Sequence, residues 1–125
     1  MTPRAVLIVD DDPSIREVAT MSLELVGGWR VVTAQDGAEG LECIARRHPD
    51  LVLLDVMMPV LDGLATFTRI RENPETAHIP VILLTAKIRP GGRQDWDGLP
   101  VQGVIAKPFD PMALPEQVSE LLGWD

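Results

Sequence analysis

The sequence predicts an α/β fold, a doubly wound five-stranded parallel sheet with five helices shared between its two faces. Three observations carry that prediction. Four short runs are apolar at every position: Ala5-Val6-Leu7-Ile8-Val9, Leu51-Val52-Leu53-Leu54, Val81-Ile82-Leu83-Leu84 and Gly103-Val104-Ile105-Ala106. Such runs are what strands look like when both faces of a parallel sheet are covered. The gaps between them hold stretches of helical periodicity, and strands alternating with helices specify a parallel sheet. Finally, each run is followed by a polar residue, in turn Asp10, Asp55, Thr85 and Lys107, and open parallel sheets hold ligands at the carboxyl ends of their strands.

The elements follow in order. After the first strand, Asp12 is placed to cap a helix and Pro13 suits its first turn. Ile15, Val18, Ala19, Ser22 and Leu25 then recur at helical spacing until Gly27-Gly28 stop the helix. Trp29 to Ala34 is more polar and reads as an edge strand. Asp36 caps a second helix with Ala38, Leu41, Ile44 and Ala45 inward, and His48-Pro49 closes it before the Leu51 strand. A loop runs from Val56 to Gly63, punctuated by proline and glycine. The third helix carries Leu64, Phe67 and Ile70 inward and stops by Asn73-Pro74; Ile79-Pro80 leads into the fourth strand. Between Lys87 and Gln102, Pro90-Gly91-Gly92 breaks any helix begun straight after that strand, so a short one over Gly92 to Leu99 is expected. Asp110 and Pro111 open the last helix, with Leu114, Val118, Leu121 and Leu122 inward.

Size and composition bound the function. A chain of 125 residues is expected to be one domain spanning 1–125, without an effector domain. The hydrophobic fraction of 46% beside 24% charged residues fits a globular protein, not a disordered one. The single cysteine, Cys43, excludes an internal disulfide framework and is expected to be an inert, buried thiol in a reducing compartment. Met1-Thr2-Pro3-Arg4 leads into a strand too short for a secretory signal, and no apolar run approaches the roughly 20 residues that span a bilayer. A cytoplasmic protein without a membrane partner is the expectation. The net charge of −8 argues against DNA, which calls for a basic surface.

The strand ends carry the chemistry. Asp10, Asp11 and Asp55 would converge, and close carboxylate pairs repel by about 4 kcal/mol at an effective dielectric near 20. A cluster of this kind needs a proton or a cation, and Mg²⁺ accepts such hard oxygen ligands. Asp12 is better read as the helix cap. Asp55, ending an otherwise apolar strand, is costly unless it is used. A carboxylate can attack phosphorus and form an aspartyl phosphate. Phosphoryl transfer also asks for a metal and for donors that receive charge, which Thr85 and Lys107 supply with a hydroxyl and an ammonium. Taken singly, Thr85 is a β-branched strand residue and Lys107 a solvated loop lysine. Found together with three acids at matching strand ends, those separate readings become improbable.

Val9-Asp10-Asp11-Asp12, Leu53-Leu54-Asp55-Val56-Met57-Met58-Pro59 with Asp62-Gly63, Leu84-Thr85-Ala86 and Lys107-Pro108-Phe109 resemble the receiver domain of bacterial two-component response regulators. The resemblance covers the whole chain with the motifs in register. It implies the flavodoxin-like strand order 2-1-3-4-5. It also implies that Asp55 accepts a phosphoryl group from a sensor histidine kinase or a histidine phosphotransfer protein. Asp10 and Asp11 would hold Mg²⁺ (or Mn²⁺) with Asp55 and the Met57 backbone carbonyl. Thr85 would donate to the bound phosphoryl group and act as a switch, Lys107 would pair with it, and the Lys107-Pro108 peptide would be cis. Output would pass to an unknown downstream protein through protein contacts.

The chain also departs from that pattern. Receivers usually carry an aromatic switch residue three positions before the lysine; here the position is Val104, and the chain has no tyrosine. Thr85 movement with reordering of Lys87–Gln102 is the route expected in its place, and Met57 and Lys87 are expected to flank the attacking water. Two other functions compete. An aspartate-nucleophile phosphohydrolase resembling the haloacid-dehalogenase group would need a second aspartate where Met57 stands, and a degenerate receiver serving only as an interaction module would not need all five residues of the rim. His48 and His78 lack metal-ligand spacing, Met57 and Met58 are better read as packing residues than as a soft-metal site, and Trp96 and Trp124 are either partner contacts or covers for apolar surface.

Overall fold

The fold is described from a computed structural model that covers residues 3–59, 61–86, 88 and 90–124. Five parallel strands, β1 (Ala5–Val9), β2 (Arg30–Ala34), β3 (Leu51–Asp55), β4 (Val81–Thr85) and β5 (Gly103–Ala106), form one sheet in the order β2-β1-β3-β4-β5. That is the 2-1-3-4-5 order, and β2 lies at the edge as its polarity implies. Among the described residues, α1 (Pro13–Met21), α2 (Gly37–Arg47) and α3 (Gly63–Glu72) connect successive strands, and α4 (Leu114–Leu122) follows β5.

Alternate residues of each strand serve opposite faces. Leu7, Val9, Val52, Leu54, Val81 and Leu83 pack against Cys43, Ile44, Phe67 and Ile70 of α2 and α3. Val6, Ile8, Leu51, Leu53, Ile82 and Leu84 meet Ala19, Leu23, Leu114 and Val118 on the other face. The caps at Asp12 and Asp36 are those the sequence signals, and Asp62 is a third it did not signal. Asp12 accepts from the Ser14 amide, Asp36 from Glu39 and Asp62 from Ala65, each at 2.8 Å. The last helix opens at Leu114 behind Ala113, not at Asp110-Pro111, and Leu121 is exposed. Cys43 is buried, as a structural thiol should be.

Three further expectations are corrected. No helix forms over Gly92–Leu99; the described residues from 90 to 102 run as turns, so the α-helices among the described residues number four, not five. Gly91 and Gly98 adopt φ of 65° and 85°, and the Gln94 amide bonds to the Asp97 carboxylate instead of to a helical carbonyl. Trp96, Leu99 and Val101 of this segment nonetheless pack onto the α2/α3 face. Second, Leu25 is 78% exposed while Leu23 is fully buried. A π-helical turn over Ser22–Val26 follows α1, and two apolar lines run along the combined helix. Ile15, Ala19, Ser22 and Leu23 turn inward, whereas Val18, Met21 and Leu25 face solvent. Third, α2 buries Gly37, Gly40, Cys43 and Ile44, with Leu41 half-buried, and exposes Ala38 and Ala45. At Gly40 a side chain would collide with Val9, so the bare backbone sets how closely α2 approaches β1.

At the pole opposite the carboxyl strand ends, Trp124 meets Trp29 edge-on at 5.3 Å, and the Arg4 guanidinium lies 4.3 Å from the Trp124 ring centre. Trp124 thus covers apolar surface. No helix among the described residues is long and apolar enough to cross a membrane.

Candidate functional site

Parallel pairing brings the ends of β1, β3, β4 and β5 to one rim. Asp55 lies beside Leu84 in the register of β3 and β4, and Thr85 lies beside Ala106 of β5, with the Lys107 amide donating to the Thr85 carbonyl at 2.8 Å. Asp10, Asp55 and Thr85 are 0%, 3% and 1% exposed, whereas Asp11 and Asp12 are open to solvent. The sequence-predicted residues therefore converge, with Asp12 turned aside to cap α1.

The acids are held at set angles. The Asp12 amide donates to Asp10 Oδ1 at 2.9 Å, and the Met57 amide points at Asp55 Oδ1 from 3.3 Å. Lys107 Nζ reaches Asp10 Oδ2 at 2.6 Å and Asp55 Oδ1 at 3.1 Å, one ammonium bridging two buried carboxylates. The Lys107-Pro108 peptide is cis. Burial, with the Asp10 charge as the second cause, pushes the Asp55 carboxyl up to about 6 from 3.8, although Lys107 and the Met57 amide pull it down. Burial alone would lower the Lys107 ammonium, but its bonds to Asp10 and Asp55 outweigh that and raise it.

One carboxylate oxygen from each of Asp10, Asp11 and Asp55 falls within 4.8 Å of the others. That donor set of hard oxygens fits a divalent cation such as Mg²⁺. One ammonium cannot neutralise three carboxylates, so a second positive charge would relieve the repulsion that remains. Beside the acids, a cleft of about 360 Å³ is lined by Asp11, Gln35, Asp36, Gly37, Ala38, Pro59 and Leu61. The Met57 side chain is exposed at the rim, and Val104 is half-buried in β5 opposite Leu83. Lys87, the second residue expected to flank the attacking water, lies outside the described residues. His48 caps α2 in a left-handed conformation and joins no cluster of metal ligands among the described residues.

Sequence reasoning gave no site role to two residues here. Gly63, the first residue of α3, donates its amide to the Val56 carbonyl at 3.0 Å, and a Cβ there would press into the Asp55 carbonyl and stand 2.8 Å from Val56 Cα. The glycine directly after the Asp62 cap is the signal that could have exposed it. Arg16, one turn into α1, donates from Nη1 to the Asp10 carbonyl at 2.7 Å. A side chain bonded to main chain leaves no spacing pattern to read.

Comparison with known proteins agrees with this geometry. The family model described as Response regulator receiver domain matches residues 6–119. The chain is 39% identical over 119 residues to a probable transcriptional regulator, ycf27, of Cyanophora paradoxa, covering 95% of this chain and 48% of that protein. It is 39% identical over 120 residues to the response regulator MprA of Mycobacterium sp. strain KMS, covering 96% and 48%. The chain thus spans about half the length of these curated relatives. Among solved structures, the chemotaxis response regulator CheY4 of Vibrio cholerae superimposes with a TM-score of 0.87 at 31% identity, over 96% of this chain and 99% of that one. With its motifs, strand order and rim in agreement, the chain belongs to the response regulator receiver domain family of two-component signalling.

Proposed function

We propose that this chain is a phosphoacceptor in two-component or phosphorelay signalling. The observation that carries the reading is Asp55 itself, buried at a strand end among Asp10, Asp11 and the bridging ammonium of Lys107. Its carboxylate oxygen attacks the phosphorus of a phosphohistidine on a sensor kinase or a histidine phosphotransfer protein. The oxygen–phosphorus bond forms as the phosphorus–nitrogen bond breaks, and the departing imidazole keeps the electron pair. Asp10, Asp11, Asp55 and the Met57 carbonyl would hold Mg²⁺ (or Mn²⁺), which when bound would offset the charge of the incoming phosphoryl oxygens. Lys107 hands part of its charge from Asp10 and Asp55 to the new phosphoryl group, and the Thr85 hydroxyl donates to it.

The chain performs this chemistry on itself and turns over no separate substrate. Output passes through protein contacts. With Val104 at the usual aromatic position, the signal runs through Thr85 and the segment that follows β4. Incubation with acetyl phosphate and Mg²⁺, read on a phosphate-affinity gel against Asp55→Asn, tests the assignment. A retarded band is expected for the wild type alone. The same mobility for both proteins would favour an interaction module without phosphorylation, and rapid turnover of varied phosphate esters would favour a hydrolase.

A further inference from the structure

We infer that Arg16 is a positioning residue for the acidic cluster, a reading that rests on the phosphoacceptor assignment above. Asp10 and Lys107 follow β1 and β5, which are separated in the sheet by β3 and β4. No strand pairing relates the two, yet their side chains meet at 2.6 Å. The ladder ends with the Asp10 amide donating to the Ala34 carbonyl at 3.1 Å, and something outside it must hold the carbonyl side of Asp10.

The structure shows what does. Beyond that amide bond, Asp10 is gripped at three points: Lys107 and the Asp12 amide take its two carboxylate oxygens, and Arg16 takes its main-chain carbonyl. Arg16 belongs to α1, whose start is tied to Asp12 by the capping bond to Ser14. The guanidinium therefore closes a loop from the helix back to the strand end. It restrains the peptide between Asp10 and Asp11, the main chain from which both carboxylates project. Further along the same helix, the Ser22 hydroxyl donates to the Pro111 carbonyl, in the segment that follows Lys107. The helix thus contacts Asp10 through Arg16 and the segment beyond β5 through Ser22.

The sign of the effect separates positioning from charge. A guanidinium near a cation site repels the cation, so removing it as a mere charge would tighten Mg²⁺ binding. Removing it as a positioning group lets the carboxylates drift, and a misplacement of about 1 Å in a site of this kind can cost about a hundredfold in rate. The test is calorimetric Mg²⁺ binding to unphosphorylated wild type, Arg16→Met, Arg16→Lys and Ser22→Ala, with melting curves of each in EDTA. Arg16→Met is expected to weaken Mg²⁺ binding by about tenfold, and Arg16→Lys, which keeps one donor, to recover most of it. Ser22→Ala loosens the same helix without touching Asp10 and is expected to bind Mg²⁺ like the wild type. Unchanged or tighter binding in Arg16→Met overturns the inference, as does equal weakening in Arg16→Met and Ser22→Ala. Absence of Mg²⁺ binding in the wild type would instead overturn the phosphoacceptor reading on which the inference stands.

Discussion

Replacing Asp55 with asparagine removes one negative charge from a place where charge is costly, and the structure says by how much. Burial and the neighbouring Asp10 raise the Asp55 carboxyl from 3.8 to about 6. A carboxyl raised on folding is held in its protonated form more tightly by the native state than by the unfolded chain. Ionisation therefore costs native stability as the pH climbs from 3.8 to about 6, and above 6 the whole penalty is in place. At about 1.36 kcal/mol per pH unit, the interval amounts to about 3 kcal/mol. Asparagine keeps the shape and the acceptor facing the Met57 amide, so Asp55→Asn should be more stable than the wild type by about that amount at pH 8 in EDTA. In a domain of this length the gain corresponds to a rise of roughly 10 °C in Tm. At pH 4.5 both states of the wild type are partly protonated, and the advantage should shrink to about 1 kcal/mol. Urea unfolding at the two pH values and equal ionic strength measures it. A variant no more stable than the wild type at pH 8, or a gain undiminished at pH 4.5, would refute the electrostatic account.

Further outcomes follow from the same geometry. Lys107→Ala leaves Asp10 and Asp55 buried without their shared cation and should cost about 3–5 kcal/mol in EDTA, partly recovered by Mg²⁺ in the same unfolding assay. Gly63→Ala drives a methyl group into the Asp55 carbonyl; it should cost about 1–3 kcal/mol and slow phosphorylation by acetyl phosphate, whereas Ala65→Gly, further along the same first turn, should leave the phosphorylation rate near that of the wild type. Met57→Asn, exposed beside Asp55, should change the rate at which phosphoryl is lost, followed by release of inorganic phosphate from the purified phosphoprotein. Amide exchange with and without beryllofluoride should show altered protection between residues 88 and 102; identical protection would remove this segment from the signalling route.

How far the sequence could be read depended on how local the controlling interaction was. The strand ends were legible because a fully buried strand must be apolar at every position, so an acid at its end stands out, and parallel pairing carries all such ends to one rim. The inward line of α1 was not legible. Val18 and Leu25 are as apolar as Ala19 and Leu23, and only the sheet and the π-helical turn decide which line is covered. On α2 the glycines at 37 and 40 lie against neighbouring elements because they lack side chains, a packing logic that a search for apolar residues passes over. The segment before β5 looked helical between its breakers, but Gly91 and Gly98 turn left-handed and Asp97 caps a turn instead. At the site, the titrating groups could be found from residue type; Gly63 left only the weak signal of a glycine after a cap, and Arg16, which acts on a main-chain carbonyl, left none.

The tryptophan pair at the far pole has a practical consequence. Trp29 and Trp124 stack edge to face where β1 begins, a full strand length from the carboxylates. Their emission should therefore follow global unfolding and stay nearly silent when a cation or a phosphoryl mimic enters, which leaves Trp96 as the optical probe of the segment before β5. The same pole is where the described chain enters and leaves the fold, with Arg4 and Trp124 in contact. A fluorescent protein or an affinity tag joined at either end would hang away from Asp55, so labelled and immobilised forms should keep the rim open to a phosphodonor.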